Sequence, residues 1–380
     1  MLKTVKISDI CEFQSGLWKG KKKPLTSANV IRNTNFRPSG NLSYENIALI
    51  EVEAKELSKR QLKHGDIILE KSGGGEKTPV GRVCLFKKQD NKIPFSLSNF
   101  TCYIRVKEPS IIDYKYLHKF LYFIYESGKT EPMQRNSTGI RNLQLKEYKN
   151  ISITLPSIAE QRRIVNKLDE TIAEIDNYIL LKKNKLSNLE IIETKIINKL
   201  ILKHGSDFIK RPLHSLFNLS SGKFLPRKKM NHNGKIKVYG GNGISGYHDN
   251  YNLENENVLI GRVGAHCGNV YYANEKIWVT DNCLHINSYK YNFDKQFLSM
   301  LLSSLNLREY AHQTAQPAIS YSSLKDIKLT FPKSIKEQII IFKNYIDLRK
   351  DLEKLNYIYE NQMISLKKFK LSILNKEILN

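Results

Sequence analysis

The 380-residue sequence is poor in cysteine and has no long hydrophobic run. Its five cysteines (Cys11, Cys84, Cys102, Cys267, Cys283) are odd in number and show no CxxC spacing. That argues against a disulfide framework and a zinc ribbon, and suits a reducing cytoplasm. No stretch approaches the ~18–20 apolar residues of a membrane-spanning helix. The opening MLKTVKISDICEFQ carries no apolar run of the signal-peptide kind, so secretion is not expected. None of the nine histidines lies in an HExxH or a Cys/His cluster, and the adjacent His266 and Cys267 are not a metal-ligand arrangement. No metal site is expected.

Recognisable catalytic strings are missing as well. Gly241-Asn242-Gly243-Ile244-Ser245-Gly246 is formally GxGxxG, but YHDNYNLEN follows where a dinucleotide fingerprint needs a helix. A turn that brings backbone close to a partner is the better reading. Ser72-Gly73-Gly74-Gly75-Glu76-Lys77-Thr78 has Glu76 where a P-loop needs glycine, and PVGRV where it needs a helix. Gly128-Lys129-Thr130 fails too, with Phe123 at the first-glycine position. The Asn/Asp-Pro-Pro-aromatic string of an amino-methyltransferase does not occur. The chain is therefore expected to be non-catalytic and to hold no cofactor of its own.

Positive charge is what the sequence has in excess. Lys and Arg number 61 against 37 Asp and Glu, a formal net charge of +24. A polyanionic partner follows, nucleic acid before an anionic membrane. Hydrophobic residues at 41%, with 15 Phe and 20 Tyr, supply folded cores. The length suggests two to four domains.

The chain is written twice. LPSIAEQRRIVNKLDETIAEIDNYILLKKNKLSNLEIIETKIINKLIL (155–202) and FPKSIKEQIIIFKNYIDLRKDLEKLNYIYENQMISLKKFKLSILNKEIL (331–379) each pass a proline and a Glu-Gln pair. Each then runs without Gly or Pro. Ile172, Ile175, Ile179, Leu186, Leu189, Ile196 and Leu200 step by threes and fours, with breaks at Lys182 and Glu193. Tyr345, Leu348, Leu352, Leu355, Tyr359, Leu366, Phe369 and Ile373 do the same, with a break at Gln362. Such stripes, over about four heptads, predict coiled-coil helices roughly 65–70 Å long. Pro156 and Pro332 suit first-turn positions, and His204-Gly205 suits a helix stop.

The preceding segments correspond too. Ser15-Gly16 aligns with Ser221-Gly222, and Lys21-Lys22-Lys23 with Arg227-Lys228-Lys229. HGDIILEKSGGG (64–75) parallels NENVLIGRVGAH (255–266), and FSLSNFTCYIRV (95–106) parallels IWVTDNCLHINS (277–288). Short β-like runs (DIILE, RVCLF, FTCYIRV, NVLIGRV, NVYYA, IWVT) and helical patches (YKYLHKFLYFIYESG, KQFLSMLLSSLNLREYA) predict α+β domains with mixed or antiparallel sheets. The expected division is 1–155 globular, 156–205 helix, 206–331 globular and 332–380 helix. These segments carry +12, +2, +6 and +4, so a nucleic-acid footprint belongs on the globular parts.

Basic-aromatic loops are the positive signals. Lysine and arginine neutralise phosphates, planar side chains stack, and Asn, Gln, Arg and Lys can read base edges. A single such loop reads as solvated surface; recurrence in two diverged halves favours function. On charge, planarity and loop placement, the first-half contacts are Trp18, Lys19, Lys21, Lys22, Lys23, Lys71, Ser72, Lys77, Arg82, Arg135 and Arg141. Those of the second half are Lys223, Arg227, Lys228, Lys229, Tyr239, Asn242, Tyr247, Arg262, His266, Gln313, Gln316 and Tyr321.

Taken in order, VKISDICEFQSG, GDIILEKSGGG, LPSIAEQ, KVYGGNGISGYHDNY, NVLIGRVGAHCGNVYYAN, WVTDNCLHI and QPAISYSSLKDIKLTFP give the chain a full-length likeness. It resembles the specificity subunit of type I restriction-modification enzymes. The first recognition segment is longer (155 residues against 126) and has GIRN where the second has QPAIS, so target sequences do not transfer. The resemblance implies two target-recognition domains on duplex DNA, separated by two long helices that pair antiparallel in a pseudo-twofold repeat. It implies docking of two modification subunits, which carry the S-adenosylmethionine and adenine-methylation chemistry. Motor-nuclease subunits using ATP and magnesium complete the restricting enzyme. The competing readings are a coiled-coil adaptor or RNA-binding protein with nonspecific basic patches, and an enzyme with an unrecognised site.

Overall fold

The computed structural model describes residues 3–75, 78–88, 92–137, 139–231, 233–312 and 317–379. It divides into two units, Met1–Lys182 with Asn361–Asn380, and Lys183–Glu360. Each unit combines one globular segment with part of both long helices, Ile158–His204 and Ile335–Leu379. None of the described helices is long and apolar enough to cross a membrane.

In the first unit the ends of the globular segment are joined by an antiparallel pair, Lys3–Lys6 with Ser152–Leu155. A four-stranded sheet follows in the order Cys11–Ser15, Thr101–Val106, Ile67–Glu70, Val83–Leu85. Its strand Ile67–Glu70 is buried on both faces. Ile67 and Leu69 face the helix Tyr114–Glu126, while Ile68 meets Tyr103, Cys84 and Phe86 on the other side. The period-2 alternation of a strand feeds two cores from one apolar run. A second sheet sets Phe95–Leu97 parallel to Leu25–Ile31, which pairs antiparallel with Ala48–Glu53.

The second unit repeats this plan. Phe208–Pro212 pairs with Lys328–Pro332, and the four-stranded order is Phe217–Ser221, Cys283–Tyr289, Glu256–Gly261, Val270–Asn274. Val258 and Ile260 face the helix core, and Leu259 faces Tyr239, Val279 and Cys283. Ile236–Gly240 runs parallel to Ile277–Val279 and antiparallel to Gly243–His248. All six β-like runs read from the sequence are strands. The first unit adds Ala54–Arg60 as a helix and a three-stranded sheet of Ser72–Gly74 with the hairpin Gln134–Ser137/Ile140–Leu143.

The Glu-Gln pair of each repeat has a structural reason. Gln161 accepts from the Asp113 amide at 2.9 Å and donates to the Pro156 carbonyl at 2.9 Å. Gln338 accepts from the Asp294 amide at 3.0 Å and donates to the Pro332 carbonyl at 2.9 Å. Asp113 and Asp294 cap the short helices Tyr114–Glu126 and Lys295–Ser303. One buried glutamine thus ties each long helix to the globular helix beside it.

Two sequence expectations shift here. Pro156 and Pro332 stand before the helices rather than in their first turns. Ser157 and Ser334 are the caps, accepting from the amides of Glu160 at 3.3 Å and Glu337 at 3.5 Å. Phe369 and Gln362 also lie off the seam. Phe369 is exposed, and the stripe passes through Met363, Leu366, Lys370 and Leu374. Lys370 is tolerated because Asp176 at 2.8 Å and Ser39 at 2.9 Å meet its ammonium, while its stem fills the seam. The helices pair antiparallel within each unit. Lys167 bonds Glu377 as Asp176 bonds Lys370, and Glu193 bonds Tyr345 where Lys185 lies over Tyr359.

Candidate nucleic-acid interface

The same loop is built at the same place in both units. The Gly16 amide donates to the Thr101 carbonyl at 3.0 Å, and Leu17 to Leu97 at 2.7 Å. Gly222 donates to Cys283 at 3.1 Å, and Lys223 to Val279 at 2.9 Å. A Cβ on Gly16 would overlap the Ser98 carbonyl oxygen, and one on Gly222 the Val279 carbonyl oxygen. Only glycine lets the strand turn away this close to its neighbour. Two residues on, Trp18 and Phe224 stand out from the surface, 75% and 72% exposed. Lys19, Lys21, Lys22 and Lys23 surround the first, all exposed, with the amides of Lys21 and Lys22 held by Glu53. Lys223, Arg227, Lys228 and Lys229 surround the second, also exposed.

A cation lies at the base of each loop. Lys71 donates to the Ser15 hydroxyl at 3.0 Å, and Arg262 donates to the Ser221 hydroxyl at 3.3 Å. Their amides bond the carbonyls of Phe100 and Asn282, which are equivalent positions. Gly73 and Gly264 follow at φ +104 and +97, a conformation that glycine adopts without penalty. Ser72 donates to Asn142 of the hairpin at 2.5 Å. Arg135 is exposed on that hairpin, and Arg141 is half-buried on its second strand with an interaction of its own.

The other candidates separate by what already holds them. Arg82 makes a bidentate pair with buried Glu70 at 2.7 and 2.8 Å, which raises its pKa. Tyr239, 7% exposed, is a wall of the small core against Leu259 and Val279 rather than a free platform. The Tyr321 hydroxyl donates to the Phe217 carbonyl at 3.3 Å. These three are committed to the fold. Asn242, Tyr247 and His266 are exposed. Lys77, Gln313 and Gln316 lie outside the described residues. Sequence reasoning left out Phe224 and Phe100 as site residues; the alignment of Phe224 with Trp18 was the available signal for the first.

Beside Trp18 a cavity of about 400 Å³ opens between the loop and the sheet, with Arg32, Asn33, Ser98 and Phe100 in its lining. Elsewhere burial pushes the thiols of Cys11, Cys84, Cys102 and Cys283 up to about 12, so none is a thiolate at neutral pH. Among the described residues no group of three or more His, Cys, Asp or Glu could hold a metal ion.

Comparison with known proteins agrees with this duplicated design. A 104-residue stretch is 38% identical to the type I restriction enzyme EcoprrI specificity subunit of Escherichia coli, covering 27% of this chain and 25% of that protein. Another of 135 residues is 28% identical to a protein of Mycoplasma pneumoniae described as a type I specificity subunit, covering 33% and 44%. The matches therefore span less than half the length of either relative. A chain in a solved structure concerned with complex assembly and conformational transition of the type I R-M system superposes with a TM-score of 0.73. It is 16% identical, with 99% of this chain and 97% of that chain covered, a likeness of fold. Residues 2–190 and 205–360 match the type I restriction modification DNA specificity domain, and the chain belongs to that family.

Proposed function

We propose that this chain selects the DNA sequence for a type I restriction-modification enzyme without doing chemistry itself. The observation that carries the reading is the twin loop: a pinned Ser-Gly turn presenting an exposed aromatic ringed by cations, once in each unit. Lysines and arginines there neutralise phosphates and fix register. The surroundings differ between units, as with the hairpin bearing Arg135 and Arg141, so each module reads its own half-site. The target is then bipartite and asymmetric, with the long helices setting the unread gap.

Adenine methylation in a duplex needs the base flipped out. That step belongs to two modification subunits carrying S-adenosylmethionine, and cleavage to motor-nuclease subunits using ATP and magnesium. Outward apolar side chains on the long helices, among them Tyr178, Ile191, Tyr357 and Ile358, support docking of such partners. The assembly works in the cytoplasm. The test is to express the chain with its modification subunit in a methylation-free host and map modified adenines. A split motif with a fixed gap supports the reading. An active modification subunit that yields no motif, or RNA competing as well as duplex, overturns it.

A further inference from the structure

The cavity beside Trp18 has features that phosphate binding does not use. Asn33 Nδ2 donates to the Ser72 carbonyl at 2.7 Å, which fixes the amide and leaves Oδ1 as an acceptor. Among the described residues Asn33 Oδ1 is buried and finds no hydrogen-bond partner, nor does the buried Ser98 hydroxyl, and both residues line the cavity. Buried polar atoms are ordinarily satisfied, so two orphans in one hollow point to an absent partner. Trp18 and Phe100 supply aromatic wall, and Arg32 and Lys19 bring positive charge to the same lining. At about 400 Å³ the cavity falls within the ~300–1,000 Å³ range of small-ligand sites.

We infer that this cavity receives one nucleobase unstacked from the first half-site, its exocyclic amino group donating to Asn33 Oδ1. An aliphatic occupant would leave both polar atoms unpaired, and an anion would meet the Asn33 acceptor. A flat heteroaromatic with an N–H donor satisfies the walls and the orphans together. Adenine, cytosine and guanine have that amino group. The base is additional to the methylated adenine, whose flipping belongs to the modification subunits. This inference rests on the DNA-recognition reading above.

The experiment uses the complex assembled with its modification subunits and duplexes carrying the mapped site. A mispaired or unpaired base is walked through the first half-site and affinity measured at each step. Loosening a pair removes the unpairing cost, so the captured position gains affinity, about tenfold, where other mispairs lose it. Ser98→Ala and Trp18→Ala abolish that gain. Ser98→Ala removes no hydrogen bond to any of the described residues, and an unfolding midpoint equal to that of the parent separates its effect from a folding defect. Replacing the captured base with an analogue lacking the amino group does the same. No favoured position, with the split site still selected, overturns the inference and leaves the DNA-recognition reading intact. No split site overturns both. Quenching of Trp18 fluorescence by adenosine monophosphate, without any favoured duplex position, assigns the cavity to a soluble nucleotide and overturns capture from DNA.

Discussion

At the residue scale, the most exacting positions are those where a side chain has nowhere to go. Gly16 and Gly222 turn against backbone carbonyls, which cannot yield as a flexible side chain can. Gly16→Ala and Gly222→Ala each lower stability by about 1–3 kcal/mol, read by denaturant unfolding. Gly75→Ala, whose Cβ meets only the Thr78 hydroxyl at 3.3 Å among the described residues, is the near-neutral reference. His118 carries a pH signature. It is buried in the helix Tyr114–Glu126, and among the described residues its Nε2 makes no hydrogen bond of standard geometry. Burial, then repulsion from Lys119 and Lys87, pushes its pKa down to about 3. Between that value and the ordinary ~6.5, the unfolded chain binds a proton that the native state excludes. This contribution is therefore fully present above pH ~6.5 and is lost on acidification, by up to ~1.4 kcal/mol per pH unit. His118→Leu flattens that slope in denaturant titrations at pH 7.5 and 5; an unchanged slope refutes the assignment.

At the element scale, one buried glutamine amide joins each long helix to the capped helix of its globular segment. Gln161→Leu strands the Asp113 amide and the Pro156 and Ile111 carbonyls, and Gln338→Leu strands the Asp294 amide and the Pro332 carbonyl. Each substitution costs about 1–3 kcal/mol, and Glu at either position restores only the acceptor half. Helices and strands were legible in the sequence because their apolar periods are long and repeated. The register of the second seam was not. From Leu366 a step of three reaches Phe369 and a step of four reaches Lys370, and hydrophobicity alone prefers phenylalanine. The choice is made by Asp176 and Ser39, which only the fold brings to Lys370. The hairpin Gln134–Ser137/Ile140–Leu143 was equally hidden, since QRNS and IRNL have no apolar face; they pair with each other, and Ile140–Leu143 pairs with Ser72–Gly74. In the candidate site, the charged and exposed residues were readable from type and repetition. The commitments of Arg82 and Tyr321 were not, because Glu70 lies 12 residues from Arg82 and the Phe217 carbonyl 104 residues from Tyr321.

At the scale of the whole molecule, the proposed function makes position and sequence choice separable. Lys185 lies over Tyr359, so these two sites face each other across the helix pair. Inserting one heptad beside each keeps the seam in phase and lengthens the pair by about 10.5 Å. The mapped motif then keeps both specified parts, while its gap widens by up to about 3 base pairs. A changed half-site with an unchanged gap sinks the spacer role. The modules themselves are tested by exchange. Residues 206–331 begin and end on the paired strands Phe208–Pro212 and Lys328–Pro332, which close the second globular segment on itself. Replacing that stretch with the corresponding segment of another family member leaves the first loop, its cavity and the helix seam untouched. Expressed with its modification subunit, the hybrid directs methylation to a motif in which one half matches the parent and the other matches the donor, with the gap preserved. A motif altered in both halves means that each unit does not read alone, and the separation of recognition from spacing fails with it.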